Sequence, residues 1–128
     1  MIQPAIRSML VNDPGVAAMV SGRVYDIIIP ETSPAAPFLV LQKVSETLAP
    51  VIMEKTTSIT VDAYALTHTQ ADELADRVCR ALNNRAAETN DEIIHRITQI
   101  SQRDMFTSDT RLFRVTADYR VVWRTKQP

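Results

Sequence analysis

The chain has 128 residues, 45% of them hydrophobic, and 14 Lys and Arg against 15 Asp and Glu give a net charge of −1. That length sets an expectation of one domain with one core, and the near-neutral balance leaves no global field to draw the chain to nucleic acid or membrane. One cysteine excludes an internal disulfide and suits a reducing cytoplasm, two glycines are too few for a glycine-rich phosphate cradle, and no apolar run is long enough to span a bilayer.

The opening MIQPAIRSML lacks the charged lead and long apolar centre of a secretory signal. Ile2, Ala5, Ile6, Met9 and Leu10 instead recur at spacings of three and four, the apolar stripe of an amphipathic helix over 2–11. Pro4 is tolerated because it falls in the first turn. Asn12-Asp13-Pro14-Gly15 stops this helix and starts another, with Asp13 as cap and Pro14 at the first helical position. The second helix is short and ends at Ser21-Gly22.

Arg23 to Ile29 reads as extended, and Pro30, Pro34 and Pro37 make the next stretch a stiff, irregular loop. Phe38 to Val44 is a strand whose first half is apolar on both faces, so it is expected to be covered on both sides there. Residues 46–55 interrupt the pattern at Pro50. Thr57, Ile59, Val61, Ala63 and Ala65 restore a period of two, so 38–66 reads as a hairpin with a long tip.

Thr67 with Gln70 forms a capping-box pattern, and Thr69 with Asp72 offers a second register. In the helix that follows, Ala71, Leu74, Ala75, Val78, Ala81 and Leu82 form the buried stripe, flanked by Cys79. Residues 83–92 read as a loop and Ile93 to Ile100 as a strand. A polar turn built on Asp104, Ser108 and Asp109 then enters a long closing strand. Phe113, Val115, Ala117, Tyr119, Val121 and Trp123 take one face of it; Arg114, Thr116, Asp118, Arg120, Val122 and Arg124 take the other. The order predicts an α+β fold, a mainly antiparallel sheet with helices packed on one face.

The inventory for catalysis is thin. His68 and His95 are the only histidines and lie on different elements. A single cysteine rules out a Cys/His metal spacing, and Cys79 reads as a small hydrophobe on its helix. Asp72 and Asp76 share a helix face with Arg80, the pattern of a solvated ion-pair surface; Asp91 and Glu92 fall in a loop. Arg114, Arg120 and Arg124 could meet phosphate, but the aromatic residues of that strand point the other way, which is poor for reading bases. Charge is uneven: residues 103–128 carry six basic and three acidic residues, net +3, and residues 1–102 carry net −4. For partner binding the best candidate is 46–55, because Leu48, Val51, Ile52 and Met53 are too apolar for an ordinary solvated turn. The alternative is that this tip folds back on its own sheet. The Pro-rich loop 30–37 is a second candidate.

Four segments together resemble the tail-completion, or tail-terminator, proteins of long-tailed (siphovirus-type) bacteriophages and prophages. They are VNDPGVAAMVSGRVYD after the opening helix, APFLVLQKVS, TTSITVDAYALTHTQADELADRVCRAL, and RDMFTSDTRLFRVTADYRVVWR. They cover nearly the whole chain in the family's order. Residues 46–55 depart from the pattern, being more apolar and lacking the glycines and aspartates expected there.

The resemblance implies a non-enzymatic virion protein, made in the bacterial host cytoplasm, with no cofactor, metal or membrane association. It implies a ring, typically of six copies, at the head-proximal end of the tail tube. Such a ring stops tube growth, joins a head-completion or connector protein, and lets double-stranded DNA pass through its lumen without sequence-specific binding. Leu48, Val51, Ile52, Met53, Arg114, Arg120 and Arg124 are then the expected interface residues. Competing readings are a head-side connector or neck ring protein, a small α+β ligand-binding or enzymatic domain using Cys79 or His95, and a nucleic-acid-binding module.

Overall fold

A computed structural model of the chain describes residues 2–26, 36–107 and 112–126. Among them, the elements in chain order are α1 (Gln3–Asn12), α2 (Pro14–Val20), β1 (Val24–Asp26), β2 (Phe38–Ala49), β3 (Glu54–Ala65), α3 (His68–Leu82), β4 (Ala87–Glu88), β5 (Glu92–Thr107) and β6 (Leu112–Thr125).

The helix boundaries follow local chemistry. Asp13 Oδ2 accepts the Val16 amide at 3.0 Å, capping α2 behind Pro14. Ser21 and Gly22 end it with φ of 49° and 82°, a left-handed turn that glycine enters without a Cβ penalty. For α3 the chain takes the first of its two cap registers: Thr67 Oγ1 accepts the Gln70 amide at 3.2 Å. The buried residues of α3 are the six of the sequence stripe. Its far end is tied to the sheet, where Asn83 Oδ1 accepts the Gln99 amide at 2.9 Å.

The six strands form one sheet in the order β1-β2-β3-β6-β5-β4. β1 runs parallel to β2 and every other pair is antiparallel. In the central pair, Lys55 lies opposite Trp123 and Ala65 opposite Phe113. Ile59, Val61, Ala63, Val115, Ala117, Tyr119 and Val121 therefore share one face and join the buried stripes of all three helices in a single core. On the opposite face Phe38, Val40 and Tyr64 form a smaller cluster, with the Phe38 and Tyr64 rings stacked 4.8 Å apart. The start of β2 is thus buried on both sides, as its continuous apolar run requires.

Several boundaries correct the sequence reading. The 46–55 stretch is not a long loop: β2 continues to Ala49, β3 starts at Glu54, and only residues 50–53 turn. Side-chain alternation hid this because a bulge between Lys43 and Ser45 shifts the phase of β2. The polar turn at Asp104 is also strand, since β5 continues to Thr107 and Asp104 lies opposite Val115. Here a bulge between Gln99 and Ser101 breaks the period. Ser108 and Asp109 lie outside the described residues, as do Ile27 to Ile29 and most of the Pro-rich loop. The loop 83–92 contains β4.

Two hairpin arms thus leave the sheet at opposite ends. The β2–β3 arm projects where β6 finishes, and the β5–β6 arm projects beside the start of α3. A short polar relay anchors the first. Trp123, 1% exposed, donates its Nε1–H to Thr57 Oγ1 at 2.9 Å, and the Thr57 hydroxyl donates to Glu46 Oε1 at 2.9 Å. The Lys55 ammonium sits 4.9 Å above the Trp123 ring. Trp123→Ala is expected to cost about 3–5 kcal/mol through the cavity it leaves. Thr57→Val should cost about 1–3 kcal/mol by orphaning the indole N–H. Urea unfolding reads both losses, and faster hydrogen exchange at Glu46 to Ala49 should accompany the second.

Candidate interaction surfaces

The β2–β3 turn, Pro50-Val51-Ile52-Met53, is apolar and in water. Val51 is 96% exposed, Ile52 62%, Met53 52% and neighbouring Leu48 47%. The tip does not fold back onto its own sheet. Met53 closes the turn at φ 55°, a conformation that glycine or asparagine would adopt more cheaply. An unbranched, adaptable apolar side chain stands where turn chemistry favours a small polar one. A four-residue turn on a paired arm makes a firm knob rather than a loose loop.

The three arginines of β6 do not form one free surface. Arg114 is half-buried; it donates to the Tyr64 hydroxyl at 3.4 Å and to the Met105 sulfur. Beside it, the Thr116 hydroxyl donates to the buried Asp62 carboxylate at 2.6 Å. Asp118, next along the same face, accepts from Ser101 and Arg103 at 2.6 Å each and from Thr60 at 3.2 Å. Those bonds, the Ser101 hydroxyl first and then Arg103, hold its carboxyl below the usual carboxylate range. Arg120 is exposed and Arg124 partly so, and neither has a carboxylate partner among the described residues.

A residue that strand-pattern reading missed joins them. Arg96 lies opposite Val122, so it shares the outer face with Arg120 and Arg124, and its guanidinium donates to Asn84 Oδ1 at 3.2 Å. The signal was hidden by the bulge between Ile94 and Arg96, which displaces His95 from the ladder. His95 is 3.9 Å from Glu54.

The residues weighed for catalysis stay apart. Burial, with Asp76 beside it, pushes the Cys79 thiol up, away from the thiolate a nucleophile needs. Burial likewise pushes up the Tyr119 phenol, which donates to Gln99 Oε1 at 3.0 Å. Glu73 with Arg77 and Asp76 with Arg80 form 2.8 Å ion pairs on the outer side of α3. A groove of about 290 Å³ between α1 and β4 has Glu88 as its one ionisable lining residue, and Lys126 holds that carboxylate at 3.1 Å. Among the described residues no cluster of His, Cys, Asp and Glu could hold a metal ion, and no helix is long and apolar enough to cross a membrane. What the surface presents is an apolar knob and a partly basic sheet face.

Comparison with known proteins gives a family match by sequence and matches of fold among solved structures. The sequence matches the family described as tail completion protein gp17 over residues 4–124. The fold is similar to that of a chain in the virion of a native gene transfer agent particle, with a TM-score of 0.74 at 17% identity, over 98% of this chain and 95% of that chain. At that identity the second likeness is one of fold. No curated protein matches by sequence.

The second arm carries its own titratable latch. His68 Nε2 lies 2.9 Å from Asp104 Oδ2, joining the start of α3 to β5, while Phe113 meets the imidazole edge-on at 6.1 Å. The hydrogen bond to Asp104 raises the His68 pKa above its ordinary value. A raised folded-state value stabilises the fold fully below the unfolded pKa of about 6.5 and loses that contribution as pH climbs through the folded value. NMR titration should therefore place the His68 midpoint above about 6.5, and Asp104→Asn should lower it. Between about pH 8 and pH 6, acidification should protect the β5–β6 amides in the unaltered chain more than in the variant.

Proposed function

The chain belongs to the tail completion protein gp17 family and is a structural protein of phage tails, and we propose that it closes the tube as a ring. The ring is of six copies, sits at the head-proximal end of the tail tube, stops tube growth and offers the surface to which a head-completion or connector protein joins. Double-stranded DNA passes through its lumen without sequence-specific binding. It is an assembly part, not an enzyme.

The observation that carries this reading is the exposed apolar knob on the β2–β3 arm. Monomeric surfaces rarely leave such clusters in water unless a partner covers them. A ring of identical copies needs a heterologous contact, in which one part of each copy meets a different part of the next. A knob held away from the sheet at one end of the strands suits that contact, and equally suits insertion against the last ring of tube protein. Leu48, Val51, Ile52 and Met53 are the residues assigned to it.

Replacing Leu48, Ile52 and Met53 together by serine should leave the monomer folded. The three side chains are solvated already, and surface changes of this kind usually stay within about ±0.5 kcal/mol each. Circular dichroism and thermal melting should be near those of the unaltered chain. Tails assembled with the variant should be overlong or headless by electron microscopy. Normal tail length and normal head joining with the variant would overturn the assignment of the knob. Recovery of the protein with isolated heads rather than isolated tails would favour the neck-ring alternative.

A further inference from the structure

The outer face of the sheet divides into two halves. Toward the β5–β6 arm the arginines are engaged: Arg103 is ion-paired with Asp118, and the half-buried Arg114 donates to the neutral Tyr64 hydroxyl and the Met105 sulfur. Toward the opposite end lie Arg96, Arg120 and Arg124. Among the described residues Arg96 donates to the neutral Asn84, and Arg120 and Arg124 form no ion pair. Glu54, at the margin of this half, faces His95 at 3.9 Å. The floor between the arginines is flat and short-chained: Ser58 and Thr98 both lie opposite Arg120, and Val122 is half-buried between strands.

We propose that Arg96, Arg120 and Arg124 form a strip that contacts the phosphates of double-stranded DNA, so that this face of the sheet borders the DNA path. The inference rests on the ring reading for bringing DNA past the chain. Three observations select DNA over a protein partner. Among the described residues none of the three cations forms an ion pair with a carboxylate. The residues directly opposite them on neighbouring strands include Ser58, Thr98, Val122 and Ile93, and none of these four is an exposed large hydrophobic residue, whereas protein interfaces centre on apolar or aromatic anchors and are depleted of charge there. The spacing also fits, because four residues of strand separate Arg120 from Arg124 by ~13 Å, close to the ~12 Å across a major groove. The face of a six-stranded sheet is too broad to enter a groove about 12 Å wide, so contact is to the backbone alone.

The test is fluorescence anisotropy of a labelled mixed-sequence duplex with the full chain, titrated from about 20 mM salt upward. Each phosphate contact contributes a slope of about −0.9 in log affinity against log salt, so three arginines give roughly −2 to −3 per copy. Arg96→Ala, Arg120→Ala and Arg124→Ala combined should weaken low-salt binding at least about tenfold and flatten the slope. Should the triple variant fail to fold, Arg120→Ala alone should reduce the slope by about one. Arg80→Ala, on the helix side, should bind as the unaltered chain does. Absence of binding by the unaltered chain at low salt, an unchanged slope in the triple variant, or a strong preference for one base sequence would each overturn the strip. Tails that still end at the correct length in those cases would leave the ring reading intact.

Discussion

The register between β3 and β6 sets which side chains meet the helices and which meet everything else. With Lys55 opposite Trp123 and Ala65 opposite Phe113, the odd-numbered residues of both strands face inward along the whole of the central pair. A slip of one residue would turn Tyr119 and Trp123 outward and bring Arg120 and Arg124 into the core. The inner face is buried against all three helices, so that slip is strongly disfavoured. The same register places the two arms at opposite ends of the sheet, and a molecule with two different ends suits heterologous contact between copies.

How much of this is legible in the sequence depends on whether the period of a strand is unbroken. The β6 alternation runs without a bulge, and its buried face is the one the pattern predicts. The α3 stripe, its Thr67 cap and the Asp13-Pro14 helix start are equally readable, because each is a local match of residue type to geometry. β2 and β5 are different. Bulges at 43–45, 94–96 and 99–101 shift the phase of the side chains while backbone pairing continues. Pattern reading therefore ends both strands too early and hides the outward placement of Arg96. Arg114 shows the opposite limit: it reads as a surface cation, but it is half-buried, and a tyrosine from β3 and a methionine from β5 meet its two terminal nitrogens. Such cross-strand partners have no signature in the sequence of β6 alone.

The two candidate surfaces differ in kind. The knob is a concentrated apolar feature, able to gain free energy when its side chains leave water, at roughly 25 cal/mol per Å² of apolar area covered. The arginine half-face is dispersed and polar, and its attraction fades with salt. That division is what the proposed role asks for, with protein neighbours held firmly and a polyanion left free to slide.

The relay at the foot of the β2–β3 arm makes the molecule self-reporting. Trp123 is the only tryptophan in the chain, and its indole is bonded through Thr57 to Glu46 on the arm itself. Any rearrangement of the arm that disturbs Glu46 or the ammonium of Lys55 alters the polarity around the one strongly emitting chromophore. Intrinsic fluorescence thus offers a label-free view of the arm during assembly, with no foreign dye attached to the surface under study.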